Sequence, residues 1–111
     1  MDFAEISRSL GIDIDVMMLL IDTWVDSLNE DVIVLNAEVS GRNLENVISS
    51  AHKIKGASAQ LGIDDAAEIA REIELKAKAG TLEGLETGIT LLLNKRDEII
   101  ESKNNFLKNK A

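Results

Sequence analysis

His52 is the one histidine in a chain of 111 residues. An unperturbed imidazole has a pKa of about 6.5, so much of it is neutral and nucleophilic near pH 7. On a helix the ring shares its face with Ser49 at i−3, Lys55 at i+3, Gly56 at i+4 and Ala59 at i+7. Three of those four are small, so the ring would stand above a low surface that another protein could approach. Lys55, one turn away, can reach an anion attached to the ring, and Lys53 adds a second positive charge. Gly56 is less favourable than alanine inside a helix by roughly 1 kcal/mol. No apolar pattern asks for it, whereas close approach of another group over that turn would. Phosphoryl transfer needs little from a protein beyond a nucleophile, in-line positioning and charge neutralisation. His52 and Lys55 could supply the first and part of the last.

Competing chemistries find less support. The chain has no cysteine, which excludes disulfides, thiolate metal sites and a cysteine nucleophile. A carboxylate-bridged metal bundle needs Glu-x-x-His pairs on facing helices, and Ser49 precedes His52 by three. No Gly-rich phosphate loop supports ATP binding. The serines lack a second histidine or another evident base. The expectation is a carrier with no metal, no cofactor and no kinase or ATPase activity of its own. A lone helix histidine is more often a surface residue with no role, and it is the company of Lys55, Gly56 and Gly62 that argues otherwise here.

The elements that must position His52 are helical. The chain has no proline, two phenylalanines and one tryptophan, with 45% hydrophobic residues. Such a composition favours helices over β-rich folds. Breaks at glycines and Asx residues divide it into five. The first covers about Asp2 to Leu10 and ends at Gly11. The second is capped by Asp13, runs to about Ser40 and stops at Gly41. Its inward stripe is Met17, Leu20, Ile21, Trp24, Leu28, Val32, Leu35 and Val39. The third spans about Asn43 to Leu61, ends at Gly62 and turns Leu44, Val47, Ile48, Ala51, Ile54, Ser58 and Leu61 inward. That stripe leaves His52 at its edge, toward solvent. The fourth begins after Asp64, a second cap candidate, and ends at Gly80, with Ile69, Ala70, Ile73 and Ala77 inward. The fifth starts near Leu82 and buries Leu85, Ile89, Leu92, Ile99 and Phe106. The tail from Lys108 should fray. Four long amphipathic helices with short connections predict an all-α fold, an antiparallel four-helix bundle with a short additional N-terminal helix, as one domain over 1–111.

The segment Ala51-His52-Lys53-Ile54-Lys55-Gly56-Ala57-Ser58-Ala59-Gln60-Leu61-Gly62 resembles the signature of histidine-containing phosphotransfer (HPt) domains. That signature has an alanine before the histidine, and a lysine and glycine three and four residues after it. A small residue follows two further on, and an apolar-glycine pair closes the helix. Ile54 stands where many members have leucine. Ile69-Ala70-Arg71-Glu72-Ile73-Glu74 is similar to the family's second conserved segment. The resemblance implies a phosphocarrier in a two-component phosphorelay. His52 would accept a phosphoryl group on Nε2 and exchange it with the aspartate of a response-regulator receiver domain, or accept it from a histidine kinase. Lys55 would steady the phosphoryl oxygens, Gly56 would leave the partner room, and Glu74 would hydrogen-bond the ring's other nitrogen. The alternative is a non-phosphorylated helical-bundle interaction module, a degenerate relative. A degenerate member would typically lose the histidine, the lysine or the glycine, and all three are present.

The second helix has more apolar residues than one stripe can bury, with Val16, Met18, Leu19 and Val25 added. Part of that excess, near Met18, is expected to dock the receiver. The net charge is −8, from 20 acidic and 12 basic residues, so nucleic acid and anionic membrane are poor partners. No apolar run could span a bilayer, and the start lacks the regions of a signal peptide. The default is a cytoplasmic monomer. Met1 and the polar tail lean toward a free-standing protein over a piece of a larger kinase.

Overall fold

Apolar residues at three- and four-residue spacing, with no proline to interrupt them, carry the chain into five helices. The structure is a computed structural model that describes residues 1–110. The helices are α1 (Phe3–Leu10), α2 (Ile14–Ser40), α3 (Leu44–Gln60), α4 (Asp64–Lys78) and α5 (Leu85–Lys110). No strand occurs among the described residues.

Side-chain pairs fix the direction of each helix against its neighbour. Trp24 meets Ser58, Asp31 meets Lys53 and Glu38 meets Ser50, so α2 and α3 run antiparallel. Asp65 bonds Lys95, and Ile73 lies under Gly88, which sets α4 against α5 in the same way. Asp22 with Lys103 and Asn29 with Arg96 close α5 back onto α2. The result is an antiparallel four-helix bundle, with α1 across one end, where the Phe3 ring meets Phe106 edge-on at 5.7 Å between centroids.

The predicted stripes form one buried cluster, including Met17, Ile21, Leu28, Val47, Ile54, Ile73 and Leu92. Val39, Leu44, Ile48, Leu61, Ile69 and Phe106 pack against it while staying partly exposed. Inside this core the Trp24 indole donates to Ser58 Oγ at 2.9 Å, and Ser58 donates to the Ile54 carbonyl at 2.7 Å. A polar relay that is satisfied throughout costs little burial energy and pins α3 to α2 near His52.

Several expectations are corrected. Leu20 is exposed and Met18 is buried, at 7% exposure. The reason lies in the neighbours. Asp22 and Asn29 reach α5, and Met18 lies one turn from Asp22 on that covered flank. Leu20 lies one turn before Trp24, whose partner Ser58 is near the end of α3, so α3 stops before it can cover Leu20. Asp13 holds the N-cap position of α2 without a side-chain cap bond. Asp64 is the first residue of α4 rather than its cap, which is Ile63; there its charge meets the positive end of the helix dipole. α5 starts at Leu85, because Thr81 Oγ accepts from the Glu83 amide and Gly84 turns left-handed, φ +78°. α5 runs through Lys110; Ala111, the end of the tail expected to fray, lies outside the described residues.

Two turn positions show how backbone freedom is used. Gly62 ends α3 with φ +73°, and a Cβ there would lie 3.1 Å from Ile6 of α1. The expected stop at Gly41 works differently. Gly41 keeps a right-handed conformation, and Arg42 takes the left-handed one, φ 56°. The Asn43 amide then donates to the Glu38 carbonyl at 2.9 Å.

Candidate functional site

The packing of α3 decides where His52 points. Ala51 and Ile54 turn inward, and the ring between them is left at the rim, 68% exposed. Its Nδ1 lies 2.9 Å from Glu74 Oε2 on α4. A carboxylate can only accept, so Nδ1 carries a proton, and in the neutral ring Nε2 is then the nitrogen that keeps the lone pair. Nε2 has no hydrogen-bond partner among the described residues. The ring is thereby fixed in one tautomer with its nucleophilic nitrogen on the open side.

Glu74 is 3% exposed. A buried carboxylate is costly unless paired and hydrogen-bonded, and this one is both. Oε1 accepts from Lys55 Nζ at 2.8 Å, Oε2 is shared with His52, and Lys78 Nζ lies 3.6 Å from Oε2. The Lys55 hydrogen bond holds the Glu74 carboxyl below its ordinary value of 4.5, overcoming burial, which pushes the other way; His52 and Lys78 lower it further. Glu74 is therefore anionic at neutral pH.

His52, Lys55 and Glu74 thus converge as expected. Gly56 is on the same outward face, and a Cβ there would meet nothing within 4 Å. No contact within the chain demands glycine at this position. Ser49 and Ala59 are also exposed. Lys53 is a largely exposed charge of the helix face: its Nζ bonds Asp31 Oδ1 on α2 at 2.9 Å, which raises the lysine above its ordinary value. It braces α3 against α2 and does not join His52. Met18, buried, is no docking surface. Lys78 was not anticipated; its position at i+4 from Glu74 was the available signal. Among the described residues no group of histidine, aspartate and glutamate side chains is arranged to hold a metal ion. No helix among them is long and apolar enough to cross a membrane.

A helical bundle of this order, with an imidazole held at its rim, has the architecture of a phosphotransfer module. Over residues 19–102 the sequence matches the Hpt domain family, and the chain belongs to that family. It is a phosphocarrier of two-component phosphorelays, whose Hpt domains exchange phosphoryl groups with kinases and receiver domains and are transfer modules, not kinases. A solved structure, the HPt domain of a sensor hybrid histidine kinase from Shewanella, shares the fold. It matches with a TM-score of 0.75 at 22% identity, covering 98% of this chain and 94% of that one. No curated protein matches the sequence.

Proposed function

We propose that His52 is the phosphoryl acceptor and that Nε2 is its attacking atom. One observation carries this reading: the buried Glu74 carboxylate occupies Nδ1 at 2.9 Å and leaves Nε2 outward. The Nε2 lone pair attacks the phosphorus of a receiver's phospho-aspartate. The N–P bond forms, the P–O bond breaks, and the aspartate carboxylate leaves with the electron pair. The ring then holds a proton on Nδ1 and a phosphoryl group on Nε2, and so carries a positive charge. Glu74 balances that charge across the hydrogen bond, and the reverse step regenerates the neutral ring.

Lys55, already ordered beside the ring through Glu74, offers its ammonium to the phosphoryl oxygens. Gly56 leaves open space over the following turn, where the receiver comes close. Leu20 and Val34, exposed apolar residues of α2, take the docking role first assigned to Met18. They and Ser27 recur at seven-residue spacing on the flank of α2 that adjoins α3, where Ser27 and Ala57 line one shallow groove. The partners are a receiver domain and a histidine kinase. Residues 1–111 act as one unit, monomeric and cytoplasmic, without kinase or ATPase activity of its own.

The test is incubation with a receiver domain phosphorylated by a small acyl phosphate. Acid-labile, alkali-stable label should pass to the wild-type chain and not to His52→Gln. Label that persists in His52→Gln would refute the assignment.

A further inference from the structure

We propose that Lys78 is a second phosphoryl-binding residue, a cation that leaves Glu74 to take up an oxygen of the group on His52. This rests on the His52 reading and extends it. The two lysines on Glu74 are not held alike. Lys55 donates to Oε1 at 2.8 Å and is 31% exposed. Lys78 shares Oε2 with His52, stands off at 3.6 Å and is 55% exposed.

A distance of 3.6 Å is beyond a hydrogen bond, and an exposed ion pair of this kind is weakened by solvent. Releasing Lys78 leaves both oxygens of the buried carboxylate with their donors, Lys55 and His52. Releasing Lys55 would strand Oε1 without one, which is far costlier. Lys78 is therefore the cation the site can spare.

Charge supplies the reason to move it. At rest the cluster sets two ammoniums against one carboxylate, a surplus of positive charge in a chain of net charge −8. A phosphoryl group adds close to two negative charges. Lys78 comes from α4 and Lys55 from α3, so the two cations reach the ring from different helices. The neighbouring cation on α4, Arg71, is committed to Glu68 at 3.0 Å and Glu72 at 3.7 Å.

The experiment compares Lys78→Gln, Lys78→Arg and Lys76→Gln with wild type, in the full chain. Lys76→Gln removes the same charge from the same helix but on the side facing Gly84. Each protein receives phosphoryl from a receiver loaded with acetyl phosphate. Transfer kinetics, phosphohistidine lifetime and the phosphorus NMR shift are read. Lys78→Gln should lower kcat about tenfold with little change in KM, shorten the lifetime and move the shift. Lys78→Arg should restore most of the rate, and Lys76→Gln should behave as wild type. The NMR signal of the His52 Nδ1 proton reports that each fold and the Glu74 contact are intact. A Lys78→Gln protein with wild-type kcat, lifetime and shift overturns the proposal and leaves His52 as acceptor. An effect confined to KM, or shared by Lys76→Gln, overturns it as well. A wild type that takes no label on His52 overturns both readings.

Discussion

Glu74 Oε2 lies 2.9 Å from His52 Nδ1, joining a carboxylate that is 3% exposed to a ring that is 68% exposed. The buried member cannot turn to water, so it fixes the exposed one. This anchor has a pH signature. Lys55 and His52 depress the Glu74 carboxyl below its ordinary 4.5 in the folded chain. The unfolded chain therefore binds that proton more readily than the folded one. Glu74's contribution to stability is complete above 4.5 and is lost as pH falls through its depressed folded value. Urea unfolding should show wild type more stable than Glu74→Gln at pH 7, with the gap closing as the pH is taken below 4.5. A gap independent of pH would show that the carboxylate charge is not what stabilises the fold.

Gly56→Ala should separate stability from transfer. Its methyl meets open space, and alanine is the better helix former by roughly 1 kcal/mol. The variant should gain about that much in denaturant unfolding. Transfer from a phosphorylated receiver should slow, with a raised KM, because the methyl projects where the partner approaches. Faster or unchanged transfer would remove any role for Gly56 in docking.

Met18 and Val34 form a contrasting pair on α2. Met18 is 7% exposed and Val34 49%. Met18→Lys forces an ammonium into the core and should cost about 3 kcal/mol or more. Val34→Lys should stay within ~0.5 kcal/mol of wild type in stability and yet slow phosphotransfer. Thermal melts and transfer rates on the two proteins check both halves.

Arg42 bears a left-handed backbone, φ 56°, beside a glycine that does not. The conformation costs a non-glycine residue about 1 kcal/mol. Arg42→Gly should recover part of that and raise the melting temperature, with no effect on transfer. A lower melting temperature would mean that the arginine side chain makes up for the strain.

These residues also show what a one-dimensional reading could reach. His52, Lys55 and Gly56 lie within five consecutive positions of one helix, so periodicity alone placed them on a common side. Glu74 is 22 residues from His52, and only resemblance to a family linked them; nothing in the spacing of α4 says that this glutamate, among several, is buried. Lys53 and Lys55 look equivalent in sequence, but one reaches Asp31 and the other Glu74 because α2 and α4 flank α3 on opposite sides. Met18 and Leu20 exchanged roles for a similar reason. Which flank of α2 is covered depends on where α3 stops and where α5 runs, and a single helical stripe carries neither fact. At α2 Asp13 sits at the cap but its side chain does not bond there, and at α4 the boundary moves by one residue so that Asp64 opens the helix; sequence pattern specifies neither detail.

If Nε2 of His52 accepts the phosphoryl group while Glu74 keeps the proton on Nδ1, the two ring nitrogens are chemically distinct before and after transfer. Nitrogen-15 NMR of the histidine-labelled chain, before and after phosphorylation by a receiver, reads both nitrogens. Nδ1 should be protonated in both states, with nitrogen–phosphorus coupling at Nε2 in the second. Coupling at Nδ1, or a phosphorylated chain whose histidine nitrogens are unchanged, would mean that Nε2 is not the acceptor.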